Sequence, residues 1–488
     1  MRYSSIEELL EKEEWKLAYE VIDSLQIEKC DDVLAILAST IYLHEGNREK
    51  AFEYIRRGLL YNYKNYELYL LLGNYYEEKN VNQAYLCYEN AEYFCDNAED
   101  KDIILQYKIN VQKNENYNVK NTSVIILTHN VLEYTRQCIN SIYANNKSDT
   151  FELIVVDNAS TDETVEWLQS QKNIKLICND ENKGFPIGCN QGIEIAQSEN
   201  DIFLLNNDTV LMPNSLFWLR MGLYDEENIG ATGSVSNCVT NFQQIEKQFN
   251  TAKEYICYDI CNNVPEKYPY EKKAWLVGFA LLLKREALEA VGYLDERFSP
   301  GTMEDVDLCT RLLSAGWKNL LCWNSFIFHY GSGTAKTTDK WSLVEDINNH
   351  KFIEKWGFNT TYYSYKKAEL ISYIQEPKDA EISVLEIGCG FGMTLSGIEH
   401  EWSKAKVKGI ELQKEVAEIA GQYFDIMHGD VENMIITYEK ESFDYIIFGD
   451  VLEYLYNPEQ VLLKLKPFLK KSGKFIYPTI CDGEKRNL

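Results

Sequence analysis

The sequence predicts a multidomain chain: an all-α repeat segment, then an α/β segment, then a second, shorter α/β segment. Three observations carry this. Small and large residues recur together every 33 residues near the N-terminus. From Val124 onward, short apolar runs alternate with amphipathic stretches, the pattern of strands joined by helices. A strand-like run from Val384 ends in a loop with glycine at alternate positions. At 488 residues and 45% hydrophobic, the chain can build roughly two to four cores.

Residues 1–115 are expected to be wholly helical. Ala18-Tyr19, Ala51-Phe52 and Ala84-Tyr85 repeat, and four residues after each Ala stands Ile22, Ile55 or Tyr88. The small residue lets two helices approach, and the large one fills the next groove. Tyr69-x-x-Leu72-Gly73-x-x-Tyr76 matches the first-helix signature of a tetratricopeptide repeat, so the segment resembles about three such repeats. A generic helical bundle is the plainer alternative. The resemblance implies a concave surface for a peptide or protein partner. Capping or dimerising the next domain is the other role open to it.

Gln112 to Thr122 is polar and reads as a linker. Beyond it come a strand at Val124–Thr128, a helix at Leu132–Tyr143, a strand at Phe151–Val156, a helix from about Glu163 to Gln171 and a strand at Ile174–Cys178. The segment Asn182–Gly192 leads into another helix. The apolar run Ile202–Leu205 then stops at Asn206-Asn207-Asp208. Oxygens at the end of a rigid strand can hold a hard divalent cation against a diphosphate. The same triplet is also ordinary turn chemistry.

Six motifs in order, Ser123–Asn130, Val156–Asp162, Asn182–Gly192, Leu205–Asp208, Val277–Ala280 and Glu304–Asp307, resemble those of the inverting GT-A glycosyltransferases of family 2. The likeness runs from residue 121 to about 335, and the domain is set at 121–365. It implies a GT-A, Rossmann-like fold and a nucleotide-diphosphate sugar donor, with a UDP-sugar favoured. It also implies Mn2+ or Mg2+, a hydroxyl acceptor, and direct displacement without a covalent intermediate. By resemblance, Asn130 and Asp157 face the base and ribose. Thr128, Asn158, Lys183, Gly184, Gly188, Asn190, Asn206, Asn207 and Gly278 complete the donor pocket. Asp157 is equally placed to cap a helix. Gly184 and Gly188 suit either close approach of the ligand or a turn with positive φ.

Relatives often carry Asp-x-Asp where this chain has Asn206-Asn207-Asp208, so Asp208 is the expected metal ligand, with His329 as its candidate companion. Among the acids at 304–307, Asp305 is the expected general base and Glu304 orients or shares that role. Three acids opening a helix are also what a helix dipole favours. Asp307 and Arg311, four apart, read as a structural pair. Trp275 is a sugar-stacking residue or a core residue.

From residue 378 to 488 the second α/β segment begins with Val384-Leu-Glu-Ile-Gly-Cys-Gly-Phe-Gly392. It resembles the first motif of class I methyltransferases that use S-adenosylmethionine. Glu386, Gly388, Gly390 and Gly392 are the motif itself. Glu411 is the implied ribose contact, Asp430 the adenine contact and Asp450 the acid after a later strand. A dinucleotide site is the alternative, although its glycines are spaced G-x-G-x-x-G. The likeness covers residues 380–480. The polar stretch Cys481–Leu488 does not continue as a strand, so the module is expected to be incomplete, with methyl transfer itself left open.

A net charge of −27 argues against nucleic acid and against an anionic membrane surface. No stretch is apolar enough to span a bilayer, and the N-terminus lacks a signal-like apolar region. Thirteen scattered cysteines read as reduced thiols of a cytoplasmic protein. Repeats joined to such a transferase are similar in architecture to bacterial enzymes that glycosylate flagellin or other surface proteins, which makes a protein the expected acceptor. A lipid-linked or cell-surface glycan is a second option. A non-catalytic scaffold around a degenerate transferase is a third, kept open by Asn206 and by the short C-terminal segment.

Overall fold

The computed structural model describes residues 3–25, 30–239, 241–331 and 339–478. Gly333 and the tail Cys481–Leu488 therefore lie outside the described residues. The chain divides into two compact units. The first holds Met1–Pro269, Val277–Leu288 and Leu320–Lys336; the second holds Tyr270–Leu276, Glu289–Asn319 and Thr337–Leu488.

The first unit opens with seven helices among the described residues: α1 (Ser4–Glu11), α2 (Trp15–Ser24), α3 (Asp32–His44), α4 (Arg48–Tyr61), α5 (Tyr66–Tyr76), α6 (Val81–Phe94) and α7 (Ala98–Gln112). Their starts are written locally. Asp31, Asn47, Asn65, Asn80 and Asn97 each cap a helix by accepting from a backbone N–H of its first turn. Asn47 and Asn80 keep the 33-residue period. The repeating Ala18, Ala51 and Ala84, with Ile22, Ile55 and Tyr88, are all fully buried. A Cβ on Gly73 would overlap the ring of Tyr88, so this glycine is there for close helix packing.

Next come β1 (Thr122–Thr128), α8 (Leu132–Asn145), β2 (Phe151–Asp157), α9 (Thr164–Ser170), β3 (Lys175–Cys178), α10 (Phe185–Ile195), β4 (Asp201–Asn206), β5 (Thr209–Val210), α11 (Ser215–Leu223), β6 (Ile229–Val235) and α12 (Ala252–Asn262). After them follow β7 (Tyr270–Lys272), β8 (Ala280–Leu283), β9 (Lys318–Phe326) and β10 (Phe328–His329). The sheet of the first unit runs β3-β2-β1-β4-β8-β6-β9. Strands β1 to β4 are parallel, and β8 is antiparallel to both β4 and β6. In register, Thr128 lies beside Asp157, and Leu127 beside Asn206. The carboxyl ends of β2, β1 and β4 therefore form one edge, where open α/β sheets bind ligands.

Every residue of α11 is buried, and it joins the helices to the sheet. Arg220 of α11 is paired with Glu89 of α6, both nearly inaccessible. The same guanidinium donates to the Lys120 carbonyl at 3.0 Å. Lys120 N donates to Tyr224 Oη (2.8 Å), and Tyr224 Oη donates to Asp201 Oδ2 (2.6 Å). Asp201 Oδ1 accepts from Arg285 N at 3.0 Å. Burial pushes the Asp201 carboxyl above its ordinary range, against the pull of the Tyr224 bond. At the end of α11, Gln83 Nε2 reaches the Met221 carbonyl (2.9 Å) and Asn80 Nδ2 reaches the Tyr224 carbonyl (2.8 Å). The start of α6 thus satisfies carbonyls that the end of α11 would leave bare.

These contacts correct the linker reading of Gln112–Thr122. Gln112 closes α7, Asn118 N donates to Asn82 Oδ1 (2.8 Å), Val119 is buried and Lys120 is held at both backbone groups. Its composition is polar because most of its side chains face water. What fixes it is backbone hydrogen bonding, which composition does not register.

In the second unit, β11 (Ser383–Ile387), β12 (Lys406–Glu411), β13 (Asp425–His428), β14 (Phe443–Phe448) and β15 (Leu469–Ile476) form a parallel sheet in the order β13-β12-β11-β14-β15. The acid-rich helix Glu304–Ser314 packs here. Val306 and Leu313 share a core with Phe298, Phe352, Phe391, Val416 and Ile419, and Trp275 packs against the same cluster. Trp275 is thereby placed as a packing residue.

Removing one partner of a buried ion pair strands the other charge. Arg220→Ala is expected to cost about 3–5 kcal/mol, read as a fall in the denaturant midpoint followed by far-UV circular dichroism. Lys406→Ala, which breaks the exposed pair with Glu381, should leave the midpoint where it is.

Candidate active site

The edge formed by β1, β2 and β4 gathers most of the residues expected on the donor side. Thr128 Oγ1 and Thr135 Oγ1 of α8 share a hydrogen bond (2.8 Å), and Asn207 Nδ2 donates to both hydroxyls, at 3.3 and 3.0 Å. Asp157 is buried; its Oδ1 accepts from Ser160 N at 2.9 Å and its Oδ2 from the Ser160 hydroxyl. Asn130, at φ +59, accepts the Thr161 N–H at 2.8 Å and donates its own N–H to Ser160 Oγ at 2.7 Å. The turn after β2 is therefore bound to the turn after β1. Asn158 is buried, donating to the Gly184 carbonyl (3.2 Å) and accepting from Asn179 (2.8 Å).

Gly184 sits at φ +84 immediately before α10, where a side chain would be strained. Gly188 and Gly192 lie one helical turn apart. A Cβ on either would overlap Leu127 or Ile125 of β1, so both keep α10 close on the sheet. Asn190 is buried on α10, while Lys183 is half-buried on the preceding loop. Gly278 is buried beside Phe279, whose carbonyl accepts from Asn206 N at 2.8 Å.

Strand pairing brings Asp208 to His329. β5 and β10 are antiparallel with Thr209 opposite His329, and Tyr330 N donates to the Asp208 carbonyl at 2.9 Å. His329 Nε2 lies 3.1 Å from Asp208 Oδ1. His329 Nδ1 lies 2.6 Å from the Cys238 carbonyl, which can only accept, so Nδ1 carries the hydrogen. Nε2 is the ring nitrogen left facing a carboxylate oxygen. Asp208 Oδ2 is buried without a hydrogen-bond partner. Asn237 holds the histidine backbone from both sides, accepting from His329 N (3.0 Å) and donating to its carbonyl (2.9 Å). The ring stacks on Phe279 at 5.2 Å. Sequence reasoning missed Ser160, Asn237 and Cys238. Ser160 lay inside a quoted motif. Asn237 and Cys238 gave no signal, being about 90 residues from the histidine they position.

In the second unit, Glu304 and Asp305 open their helix. Glu304 is buried with Oε2 unpartnered. Burial, reinforced by the Asp305 charge, pushes its carboxyl well above the carboxylate range. Asp305 Oδ1 accepts from Val306 N at 2.8 Å. Asp307 is committed elsewhere, to Arg311 Nε (2.8 Å), Lys355 Nζ (2.6 Å) and Trp356 Nε1 (2.9 Å). It is structural, as the four-residue spacing to Arg311 implied.

The glycine loop follows β11. Gly388, Gly390 and Gly392 all have positive φ. Glu411, ending β12, accepts from Gly390 N and Gln413 N, each at 2.8 Å. Asp450, after β14, is paired with Lys367. Asp430 is turned onto its own loop, accepting from Glu432 N (2.9 Å) and Asn433 Nδ2 (2.6 Å). Glu386 is buried, with Oε2 unpartnered, and burial raises its carboxyl to about 8.

Residues 123–292 match the family model described as Glycosyl transferase family 2. Residues 385–477 match that described as Methyltransferase domain. In these two segments the chain is similar to a family 2 glycosyltransferase domain and, C-terminal to it, to a methyltransferase domain. His329, Glu304 and Asp305 lie beyond the first match. Among relatives, a malonyl-[acyl-carrier protein] O-methyltransferase of Paenibacillus sp. (strain JDR-2) is 27% identical over 110 residues, covering 21% of this chain and 40% of that protein. An N-acetylglucosaminyl-diphospho-decaprenol L-rhamnosyltransferase of Mycobacterium tuberculosis is 24% identical over 203 residues, covering 36% of this chain and 66% of the relative. The chain therefore spans less than two thirds of the length of either relative. Among solved structures, GalNAc-T7 with UDP, GalNAc and Mn2+ shows a loose likeness, with 14% identity, 53% of this chain and 52% of that one covered, and a TM-score of 0.38.

The raised Glu386 carboxyl fixes the sign of a pH effect. Below its ordinary value of 4.5 the folded and unfolded chains both hold the proton. Between there and about 8 only the folded chain holds it, so this contribution to stability is lost as pH rises. Glu386→Gln should therefore gain on the wild type across that window and hold a constant difference above it. Urea denaturation at pH 5, 6.5 and 8.5 checks this.

Proposed function

We propose that the chain is a metal-dependent inverting glycosyltransferase. It moves a sugar from a nucleotide-diphosphate donor, a UDP-sugar foremost, to a hydroxyl of a protein such as flagellin or another surface protein. One observation carries the reading: His329 Nε2 and Asp208 Oδ1, both metal-ligating atoms, face each other at 3.1 Å. Together with the orphaned Asp208 Oδ2, they would hold a divalent cation. The Cys238 carbonyl fixes the tautomer such a ligand needs. Among the described residues no cluster of three His, Cys, Asp or Glu is placed to hold a metal, which suits a site completed by diphosphate oxygens. Bound there, Mn2+ or Mg2+ offsets the charge developing on the departing diphosphate.

Asn130 and Asp157, on the two joined turns, are assigned to the nucleoside, with Thr128, Asn158, Lys183, Gly184, Gly188, Asn190, Asn206, Asn207 and Gly278 around the donor. The acceptor oxygen attacks the anomeric carbon as the bond to the diphosphate breaks, and the hydroxyl proton passes to Asp305. Glu304, whose carboxyl burial pushes well above the ordinary carboxylate range, orients. Unlike environments for two adjacent carboxyls are how acid and base roles are separated.

For the acceptor, the N-terminal helices support a protein, since they are built into the transferase unit. The rhamnosyltransferase relative, named for a diphospho-decaprenol-linked sugar, favours a lipid-linked glycan as the second reading. No helix among the described residues is long and apolar enough to cross a membrane. No cysteine among them forms a disulfide, which supports placement in the cytoplasm. The C-terminal module is assigned to S-adenosylmethionine. The three positive-φ glycines let a ligand approach the backbone, and Glu386, Glu411 and Asp450 stand at the ends of adjacent strands.

Thermal shift with UDP- and dTDP-sugars, with and without Mn2+, should give a Mn2+-dependent rise for at least one donor. Asp208→Asn should weaken that binding by about 10–100-fold. Asp305→Asn should retain donor binding and lose transfer. Transfer by the Asp305→Asn variant at the wild-type rate would sink the base assignment, and donor binding indifferent to both Mn2+ and Asp208 would sink the metal assignment.

A further inference from the structure

Resting on the assignment of the C-terminal module to S-adenosylmethionine, we infer that Lys367 is a built-in counter-ion holding the place of the ligand's positive charge, so that its ammonium competes with a cationic ligand for Asp450. Three carboxylates gather at the carboxyl ends of adjacent strands: Glu386 on β11, Glu411 on β12 and Asp450 after β14. Glu386 and Glu411 are buried, and the Glu411 charge adds to the cost of charging Glu386. Glu386 Oε2 has no hydrogen-bond partner. The cation that answers this group is Lys367. Its Nζ is paired with Asp450 while its side chain is only 12% exposed. Its stem lies against Gly449, where a Cβ would meet Lys367 Cε and Glu386 Oε1, both at 3.2 Å.

Lys367 is brought there by a segment that precedes the sheet. The Tyr363 carbonyl accepts from Phe391 N at 2.9 Å, inside the glycine loop, and a Cβ on Gly390 would overlap that carbonyl. Lys367 N donates to Thr394 Oγ1 at 3.2 Å. The Tyr365 ring lies 4.9 Å from the ammonium. Part of the close approach that the glycines permit is thus taken by the chain itself. A site that sets one ammonium against three carboxyl groups, one of them with an orphaned oxygen, suits a ligand that brings positive charge and hydrogen-bond donors. S-adenosylmethionine brings a sulfonium, an ammonium and two ribose hydroxyls. In the free chain Lys367 supplies the charge instead.

Titration calorimetry on the full chain tests this with two probes: S-adenosylmethionine, and 5′-methylthioadenosine, which has the same nucleoside and no charge. Lys367→Met keeps the apolar stem and removes the ammonium; Lys367→Arg keeps the charge. Lys367→Met is expected to bind S-adenosylmethionine about three- to tenfold more tightly than wild type, with methylthioadenosine unchanged and Lys367→Arg like wild type. Unchanged binding of S-adenosylmethionine to Lys367→Met would overturn the inference. So would weakened binding, which would make Lys367 a direct contact for the ligand's carboxylate. Equal gains for both probes would overturn it too, showing steric relief only. No heat from either probe with any of the chains would overturn the cofactor assignment, and the inference with it. Circular dichroism melts of both variants establish that each is folded.

Discussion

The buried guanidinium of Arg220 is the constraint on which the first unit depends. A charge taken from water must be answered on several sides, and Arg220 is answered by Glu89 from the helical segment and by the Lys120 carbonyl from the chain entering the sheet. Tyr224, one turn on, ties the other side of Lys120 to Asp201, the first residue of the strand that ends at Asn206, two residues before Asp208. One helix therefore fixes where the N-terminal helices sit, where β1 begins and where β4 begins. Nonpolar packing alone would allow these elements to slide. A buried polar network has far fewer arrangements that leave nothing unpaired.

The metal-site candidate follows from that placement by strand pairing. Asp208 lies just past the end of β4, and β5 turns the chain back far enough to pair with β10. The pairing puts His329 Nε2 opposite the Asp208 carboxylate, and Asn237 and Cys238 hold it there. The single carboxylate of Asn206-Asn207-Asp208 thus gains a nitrogen from 121 residues away, while Asn207 is spent on the hydroxyls of Thr128 and Thr135.

Much of the architecture was legible in advance. The period of Ala18, Ala51 and Ala84 marked buried helix contacts. The apolar runs at 124–128, 151–156 and 202–205 became β1, β2 and β4, because a strand buried on both faces leaves a continuous apolar signature. Domain edges were less legible. The helix opened by Glu304 and Asp305 belongs in sequence to the glycosyltransferase motifs, yet Val306 and Leu313 share a core with Phe391 and Val416 of the glycine-loop fold. A hydrophobic residue declares that it will be buried, but not against what. The glycine at 188 invited a ligand-contact reading; its missing side chain makes room for Leu127, as that of Gly192 does for Ile125.

By itself, the sequence determined the order of segments, the strand ends that carry Thr128, Asp157 and Asp208, and the residue types of both candidate sites. These depend on local periodicity and on short motifs, which act over a few residues. Tertiary structure decided which of those residues are already engaged and which are left unanswered. Asp157 is held by Ser160, Asp307 by Arg311 and Lys355, and Asp450 by Lys367, whereas Asp208 Oδ2, Glu304 Oε2 and Glu386 Oε2 are buried without hydrogen-bond partners. Whether a carboxylate is satisfied depends on desolvation and on atoms that the chain brings back from scores of residues away, and no local pattern encodes that.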